Sequence, residues 1–131
     1  MTNALILDLN KHVLLIHNCK NGSDRYEFSG GKVEDFETLE EATIRENKEE
    51  LGIDIEITGI FGDYETDTPE GKFLCRTYFA RIIKGIPQLL EPDKMDWCEY
   101  VTYKKLQELA TAGTLVPNLV KALPELKKIM D

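Results

Sequence analysis

Short apolar runs separated by polar turns open the chain. Leu5–Leu7 and Val13–Ile16 have strand length, and Asp8–Lys11 between them has turn chemistry. This pattern predicts a β-hairpin over the first sixteen residues. A further short strand is predicted over Tyr26–Phe28. It leads into the glycine pair Gly30-Gly31, where the backbone bends sharply or lies close to another group.

A helix is predicted in the middle of the chain. Thr38 is a favoured N-cap residue, and Glu41 three residues later completes a capping box. Gly52 is a favoured C-terminal stop. The apolar positions of this helix are Leu39, Ala42, Ile44 and Leu51.

The second half of the chain predicts two long strands, a shorter strand and two helices. The long strands are Ile53–Thr66 and Phe73–Ile83, joined by a turn at Thr68–Gly71. The remaining elements are predicted over Trp97–Thr102, Tyr103–Ala112 and Asn118–Met130. Pro124 is predicted to kink or split the last helix.

Length and composition predict one soluble domain. The 131 residues, 42% hydrophobic and 31% charged, suit a single globular domain over residues 1–131. The order of elements predicts the α+β class, as an α/β/α sandwich. No apolar run approaches the roughly 20 residues of a membrane helix, so no membrane contact is expected. Three cysteines without a C-x-x-C pair predict a reducing, cytoplasmic location.

The net charge of −8 is concentrated in one segment. Residues Glu34–Glu50 hold eight carboxylates and two bases, while the rest of the chain is nearly neutral. A surface for a nucleic-acid polymer needs a basic stripe, so that class of partner is excluded.

Three carboxylates of this segment share one helix face. Glu46, Glu49 and Glu50 stand at i, i+3 and i+4, which places them side by side. Clustered carboxylates suit a hard divalent cation such as Mg²⁺ or Mn²⁺, and a backbone carbonyl of Gly30-Gly31 can add an oxygen. Such a metal supports chemistry on a phosphorylated substrate. The alternative is a solvated acidic face, which is common on helices.

The spacing of residues from Gly31 to Ile53 resembles the signature of the Nudix hydrolase family. That signature is G-x5-E-x7-R-E-U-x-E-E-x-G-U, where U is a bulky apolar residue. The charged and glycine positions that match are Gly31, Glu37, Arg45, Glu46, Glu49, Glu50 and Gly52.

Three positions depart from the family pattern. Asn47 stands at the first apolar position of the signature, which predicts looser packing of the helix on the sheet. Ser29 replaces a frequent proline before the two glycines, and Phe36 replaces a frequent glycine before Glu37. None of the three removes a charged group.

The resemblance implies a set of roles. The family fold is a mixed β-sheet packed between helices, and the cofactor is Mg²⁺, for which Mn²⁺ can substitute. Glu46, Glu49 and Glu50 would bind the metal together with the Gly30 carbonyl. Glu37 and Arg45 would form an ion pair that fixes the loop against the helix. The general base is open between the signature glutamates and Glu91, Asp93, Asp96 or Glu99.

Two features outside the signature bear on the substrate. Glu91-Pro92-Asp93-Lys94 before Trp97 resembles a segment of MutT-like nucleotide hydrolases. In such members an asparagine near Asn118 binds the purine edge, although Asn118 also suits a helix N-cap. Phe28 and Trp97 are candidates for stacking on a base, with a core position as the alternative. Asn118, Phe28, Trp97 and Glu91 are therefore the predicted substrate-binding residues.

The predicted activity is MutT-like, with Mg²⁺-dependent hydrolysis of a nucleoside triphosphate, including modified nucleotides, to the monophosphate and pyrophosphate. The alternatives are a pyrophosphatase for ADP-ribose or a dinucleoside polyphosphate, and a non-catalytic nucleotide sensor. The partner is a nucleotide or another small molecule with a nucleoside diphosphate link. Dimers occur in the family, so a homodimer stays open.

Overall fold

The computed structural model describes residues 1–68 and 70–130. Within them the elements follow in the order β1 (Thr2–Ile6), β2 (Val13–Asn18), β3 (Arg25–Glu27), β4 (Gly30–Gly31), α1 (Leu39–Leu51), β5 (Asp54–Thr68), β6 (Gly71–Lys84), β7 (Met95–Val101), α2 (Tyr103–Thr111) and α3 (Pro117–Lys127). A short 3₁₀ turn, Lys20–Gly22, lies between β2 and β3.

The strands form two sheets, with the orders β4-β1-β6-β5 and β3-β2-β7. β1 runs parallel to β6 and antiparallel to β4, so the predicted hairpin of the first two strands is wrong. Only an isolated bridge joins Leu7 to Val13. Asp8 closes the intervening turn by accepting the backbone N–H groups of Asn10 and His12. Every residue of β1 is buried, which suits the interior of a sheet better than a hairpin edge.

Alternate residues of β1 and β2 face two separate cores. Leu5 packs in a cluster with α2 and α3, whereas Ala4 and Ile6 pack in a cluster with Leu51 at the end of α1. The sheets therefore lie between α1 on one side and α2 with α3 on the other. This arrangement confirms the predicted α+β sandwich. It also explains why the first strands are continuous apolar runs, because both of their faces are covered.

Helix α1 begins and ends where the sequence predicts. Thr38 and Glu41 form the full capping box, and Gly52 closes the helix in the left-handed region at a φ of 69°. Of its apolar residues, Ala42 and Leu51 are fully buried, whereas Ile44 is 39% exposed. Polar residues share the buried face of the helix: Thr43, Asn47 and Glu50 are fully buried.

Asn47 does not loosen the helix, contrary to expectation. Its side chain accepts a hydrogen bond from the hydroxyl of Ser29 and donates one of 2.9 Å to the carbonyl of Thr43. The hydroxyls of Thr2 and Thr43 also bond to each other across the same interface. The contact between α1 and the sheet is thus polar at its centre, and its hydrogen bonds replace the apolar packing that the family pattern supplies.

The C-terminal helices match the prediction except at Pro124. α3 continues through Pro124 as one helix, so the predicted split is wrong. Leu119, Ala122 and Leu126 are buried on both sides of the proline and hold the helix against the sheets. β5 and β6 pair along their length, and the predicted turn between them includes Pro69, which lies outside the described residues.

Candidate active site

The glycine pair of β4 brings the backbone against both β1 and α1. A Cβ at Gly30 would lie 2.2 Å from the carbonyl oxygen of Thr2, and a Cβ at Gly31 would lie 2.7 Å from the carboxyl carbon of Glu46. Neither position tolerates a side chain without movement of its neighbours. The glycines are therefore required so that the backbone lies directly beside the carboxylates of α1.

Glu50 is the most deeply buried of the signature glutamates. One oxygen, Oε1, accepts the backbone N–H of Gly30 at 3.0 Å. The other, Oε2, contacts Nζ of Lys94 at 2.5 Å. Burial raises the pKa of Glu50 to about 7, although the nearby Lys94 ammonium favours the charged form. Burial likewise raises the pKa of Glu46 above its ordinary value.

Arg45 binds the remaining signature acids. It donates two hydrogen bonds to Glu37, at 2.6 and 2.9 Å, which form the bidentate ion pair that the sequence predicts. It also donates to Glu46 at 2.9 Å, to Glu49 at 3.2 Å and to the carbonyl of Lys32 at 3.1 Å. The hydrogen bond from Arg45 holds the pKa of Glu37 below its usual range. Arg45 thus joins the loop before α1 to two candidate metal ligands.

The three predicted metal ligands face cations of the chain itself. Glu46 and Glu49 contact Arg45, and Glu50 contacts Lys94. In this arrangement no group of three or more Asp, Glu, His or Cys side chains within the described residues is placed to hold a metal. The donor set still fits a hard divalent cation, because it consists of carboxylate oxygens and because the buried Glu50 already accepts a positive charge.

A cavity of about 630 Å³ opens beside these groups. Its wall includes Gly30, Gly31, Glu46 and Lys94, and it also includes Phe28 and Asn118. Two of the four candidate metal ligands, Gly30 and Glu46, therefore border the same space as two predicted substrate-binding residues. This volume lies within the range of small-molecule sites.

Asn118 does not cap a helix. The N-cap of α3 is Val116, Pro117 is the first helical residue, and Asn118 follows inside the first turn with only 4% of its surface exposed. Asn118 also lies in the wall of the main cavity. Phe28 is 3% exposed and both belongs to the core and lines the cavity.

Trp97 and Glu91 are not brought to this cavity. Trp97 packs edge-on against Tyr26 at a ring distance of 5.4 Å, against the core cluster that includes α2 and α3. Glu91 borders a separate, smaller cavity together with Asp93. The carboxylate of Asp96 accepts a hydrogen bond of 2.7 Å from Nδ1 of His17. Of the proton acceptors proposed outside the signature, none lines the main cavity.

Several cavity residues were not predicted as site residues. Lys94 belongs to the quoted Glu91–Lys94 segment, whose lysine was the available signal. Glu27, whose pKa is raised by burial, and the largely buried Asn3 also line the cavity. The Oδ1 atom of Asn3 is buried without a hydrogen-bond partner in the described residues. No pattern in the sequence marks Glu27 or Asn3.

Comparisons with known proteins agree with this geometry. The family model for the NUDIX domain matches residues 2–125. YtkD of Bacillus subtilis (strain 168), whose name describes it as a candidate 8-oxo-dGTP diphosphatase, is 41% identical over 86 residues. This match covers 59% of the present chain and 53% of YtkD, so it spans about half of that relative's length.

Solved structures share the fold. A MutT protein from Methanosarcina mazei Go1 superposes with a TM-score of 0.83 at 22% identity, covering 97% of this chain and 91% of that one. A MutT NUDIX hydrolase from Burkholderia pseudomallei gives a TM-score of 0.72 at 25% identity, covering 79% and 81%. These superpositions confirm the predicted fold. In the part of the chain that the structure describes, no helix is long and apolar enough to cross a membrane.

Proposed function

The chain belongs to the NUDIX family, since the family model matches nearly its whole length, and on that premise we propose that it hydrolyses a phosphoanhydride bond of a nucleoside triphosphate. The products are the monophosphate and pyrophosphate, and the cofactor is Mg²⁺. The relative YtkD, by its name, suggests oxidised guanine nucleotides as the first substrates to test.

One observation carries the proposal: candidate metal ligands and candidate base-binding residues line a single cavity. Glu46 and the glycine pair line it, with Glu50 bound to the N–H of Gly30, and Phe28 and Asn118 line it as well. A triphosphate spans such a space with its phosphates at the carboxylates and its base near the amide and the ring. An amide both donates and accepts, which suits a purine edge.

The proposed chemistry is attack of water on a phosphorus of the diphosphate bridge. Glu46, Glu49, Glu50 and the Gly30 carbonyl would hold the divalent cation, which polarises the phosphate and lowers the pKa of water. Arg45 keeps Glu46 and Glu49 oriented through its hydrogen bonds, and Glu37 fixes Arg45 in turn. We assign the proton acceptor to the signature glutamates, because Glu46 lines the cavity whereas the four later acids do not.

The proposal is tested with a substrate panel. Mg²⁺-dependent release of monophosphate and pyrophosphate is expected from at least one nucleoside triphosphate, with 8-oxo-dGTP, the four common deoxynucleotides, ADP-ribose and a dinucleoside polyphosphate in the panel. Chelation of the metal should abolish turnover, since the carboxylates alone neutralise no phosphate charge.

The other outcomes separate the alternatives. Hydrolysis of ADP-ribose or the dinucleoside polyphosphate alone would replace the substrate class and keep the chemistry. Tight nucleotide binding by calorimetry, without turnover of any compound, would identify a sensor instead.

Asn118 is expected to determine base preference. Asn118→Ala should raise KM for the preferred purine nucleotide by roughly 10- to 100-fold and change kcat much less, because a base-edge amide pair contributes about 1–3 kcal/mol of discrimination. KM and kcat measured for a purine and a pyrimidine triphosphate check this. Asn10→Ala, in an exposed turn, is the matched control. An equal loss on both nucleotides would remove Asn118 from base recognition.

A further inference from the structure

Every candidate metal ligand on α1 contacts a cation of the chain, and for the buried Glu50 that cation is Lys94. The Lys94 ammonium lies 2.5 Å from Oε2 of Glu50, whose side chain is fully buried. Lys94 itself is 29% exposed at its side chain. Burying Glu50 as an isolated carboxylate is costly, so this ion pair keeps the charge in place.

The backbone of Lys94 is held by hydrogen bonds, whereas its long side chain is held at its end by the ion pair with Glu50. The N–H of Lys94 donates to the carbonyl of Glu91 at 2.9 Å, and its own carbonyl accepts the N–H of Cys19 at 2.8 Å. Its side chain reaches Glu50 along the wall of the main cavity, and the residue also borders the smaller cavity. A lysine stem has four rotatable carbons, so the ammonium can move several ångströms without any backbone change.

A divalent cation on Glu50 and the Lys94 ammonium cannot share the same carboxylate oxygen. Two like charges within about 4 Å repel each other strongly in a partly buried site. Binding of the metal must therefore release Lys94 from Glu50. The freed ammonium remains tethered in the cavity wall, where the phosphates of a substrate would lie.

We propose that Lys94 is an exchangeable counter-ion. Its ammonium pairs with the carboxylate of Glu50 in the metal-free protein and moves to the phosphates of the nucleotide when a metal binds Glu50. This inference rests on the proposed function. It makes Lys94 a residue that opposes metal binding and favours binding of a polyanionic substrate. A lysine that only stabilised the site would favour both.

The test compares metal and nucleotide affinity in Lys94→Met. Without nucleotide, the variant should bind Mn²⁺ or Mg²⁺ about tenfold more tightly in calorimetry, because the substitution destabilises the metal-free state more than the metal-bound state. The same variant should show kcat/KM for the preferred triphosphate reduced by roughly tenfold or more, mainly through KM, because a charge-assisted contact to phosphate is lost. Tighter metal binding together with a lower kcat/KM in the same variant is the result that distinguishes this proposal.

Two further variants keep the test decisive. Lys94→Arg retains the charge and should keep the weaker metal affinity of the wild type even if Lys94→Met unfolds. Lys32→Met removes another lysine of the cavity wall that makes no ion pair with the signature glutamates among the described residues, so metal affinity should stay unchanged. Circular dichroism and melting temperature monitor folding.

Each remaining outcome counts against a stated claim. Metal affinity of Lys94→Met equal to or weaker than that of a metal-binding, active wild type overturns the exchange and leaves the proposed function intact. A wild type that binds neither Mg²⁺ nor Mn²⁺ overturns both.

Discussion

Replacing Glu49 with glutamine is expected to lower kcat by roughly three orders of magnitude, or about 4 kcal/mol of transition-state stabilisation. Glutamine keeps the shape of the side chain and removes the charge that would hold the cation. The Glu49 side chain is 53% exposed, and its one ion-pair partner in the described residues is Arg45, at 3.2 Å. The substitution should therefore leave the fold intact, so lost turnover reports on chemistry.

Glu40→Gln is the matched control for this variant. It makes the same chemical change in the first turn of the same helix, where Glu40 is exposed. Initial rates at saturating Mg²⁺ on the preferred triphosphate, together with melting temperatures, compare the two. Glu40→Gln should remain within a factor of two of the wild type. More than a tenth of wild-type turnover in Glu49→Gln would remove Glu49 from the machinery.

Glu49 is a sharper choice than Glu50 for this experiment. Glu50 is fully buried, with its oxygens bound to Gly30 and Lys94. Changing it would disturb the contact between β4 and α1 along with any metal site. A loss of activity at Glu50 would therefore mix folding with catalysis, while a loss at Glu49 would not.

Local rules located helix α1 correctly. The capping box at Thr38 and the left-handed Gly52 depend only on neighbouring residues, so the sequence contains them completely. The close approach of the backbone at the glycine pair was also predicted correctly, since Gly30 and Gly31 lie directly against β1 and Glu46. The signature spacing also predicted the ion pair of Glu37 and Arg45 correctly. The two residues are only eight positions apart, so their pairing depends on the local path of the loop and the helix.

Long-range pairing was the main source of error. β1 pairs in parallel with β6, where Thr2 lies opposite Arg76, and the apolar runs of β1 and β2 contain no signal for that choice. A hairpin was the simplest local solution and was wrong. Similarly, Lys94 reaches Glu50 across 44 residues of chain, and only the assembled fold brings the ammonium to the carboxylate.

Two of the departures from the family pattern, Ser29 and Asn47, contact each other in the structure. Taken position by position, Ser29 and Asn47 are separate irregularities, one in the loop and one on the helix. The structure joins them: the Ser29 hydroxyl donates to the Asn47 side chain, with exposures of 2% and 0%. A proline at 29 with an apolar residue at 47 would pack without polar atoms. Here the hydrogen bond satisfies a buried polar group of each residue. Comparing one position at a time with the family pattern does not reveal such a pair.

Asn47→Ala is therefore expected to lower the free energy of unfolding by about 3 kcal/mol. The buried Ser29 hydroxyl would lose its acceptor, which costs about 1–3 kcal/mol, and a small cavity would remain beside α1. Ser29→Ala should cost about 1–2 kcal/mol for the same reason, since Oδ1 of Asn47 loses its donor. Urea denaturation monitored by circular dichroism measures both, and Asn10→Ala in the exposed turn should change stability by less than about 0.5 kcal/mol.

The double variant Ser29→Ala/Asn47→Ala decides whether the two residues act together. Residues in contact couple, so its loss should be at least about 1 kcal/mol smaller than the sum of the single losses. Additivity within about 0.3 kcal/mol would contradict the pairing.

The contact between Ser29 and Asn47 also bears on metal binding, because Ser29 directly precedes Gly30, whose N–H donates to Oε1 of Glu50. If this contact positions the glycine pair, Asn47→Ala should also weaken Mn²⁺ binding, by roughly 10-fold, while the exposed Asn10→Ala should not.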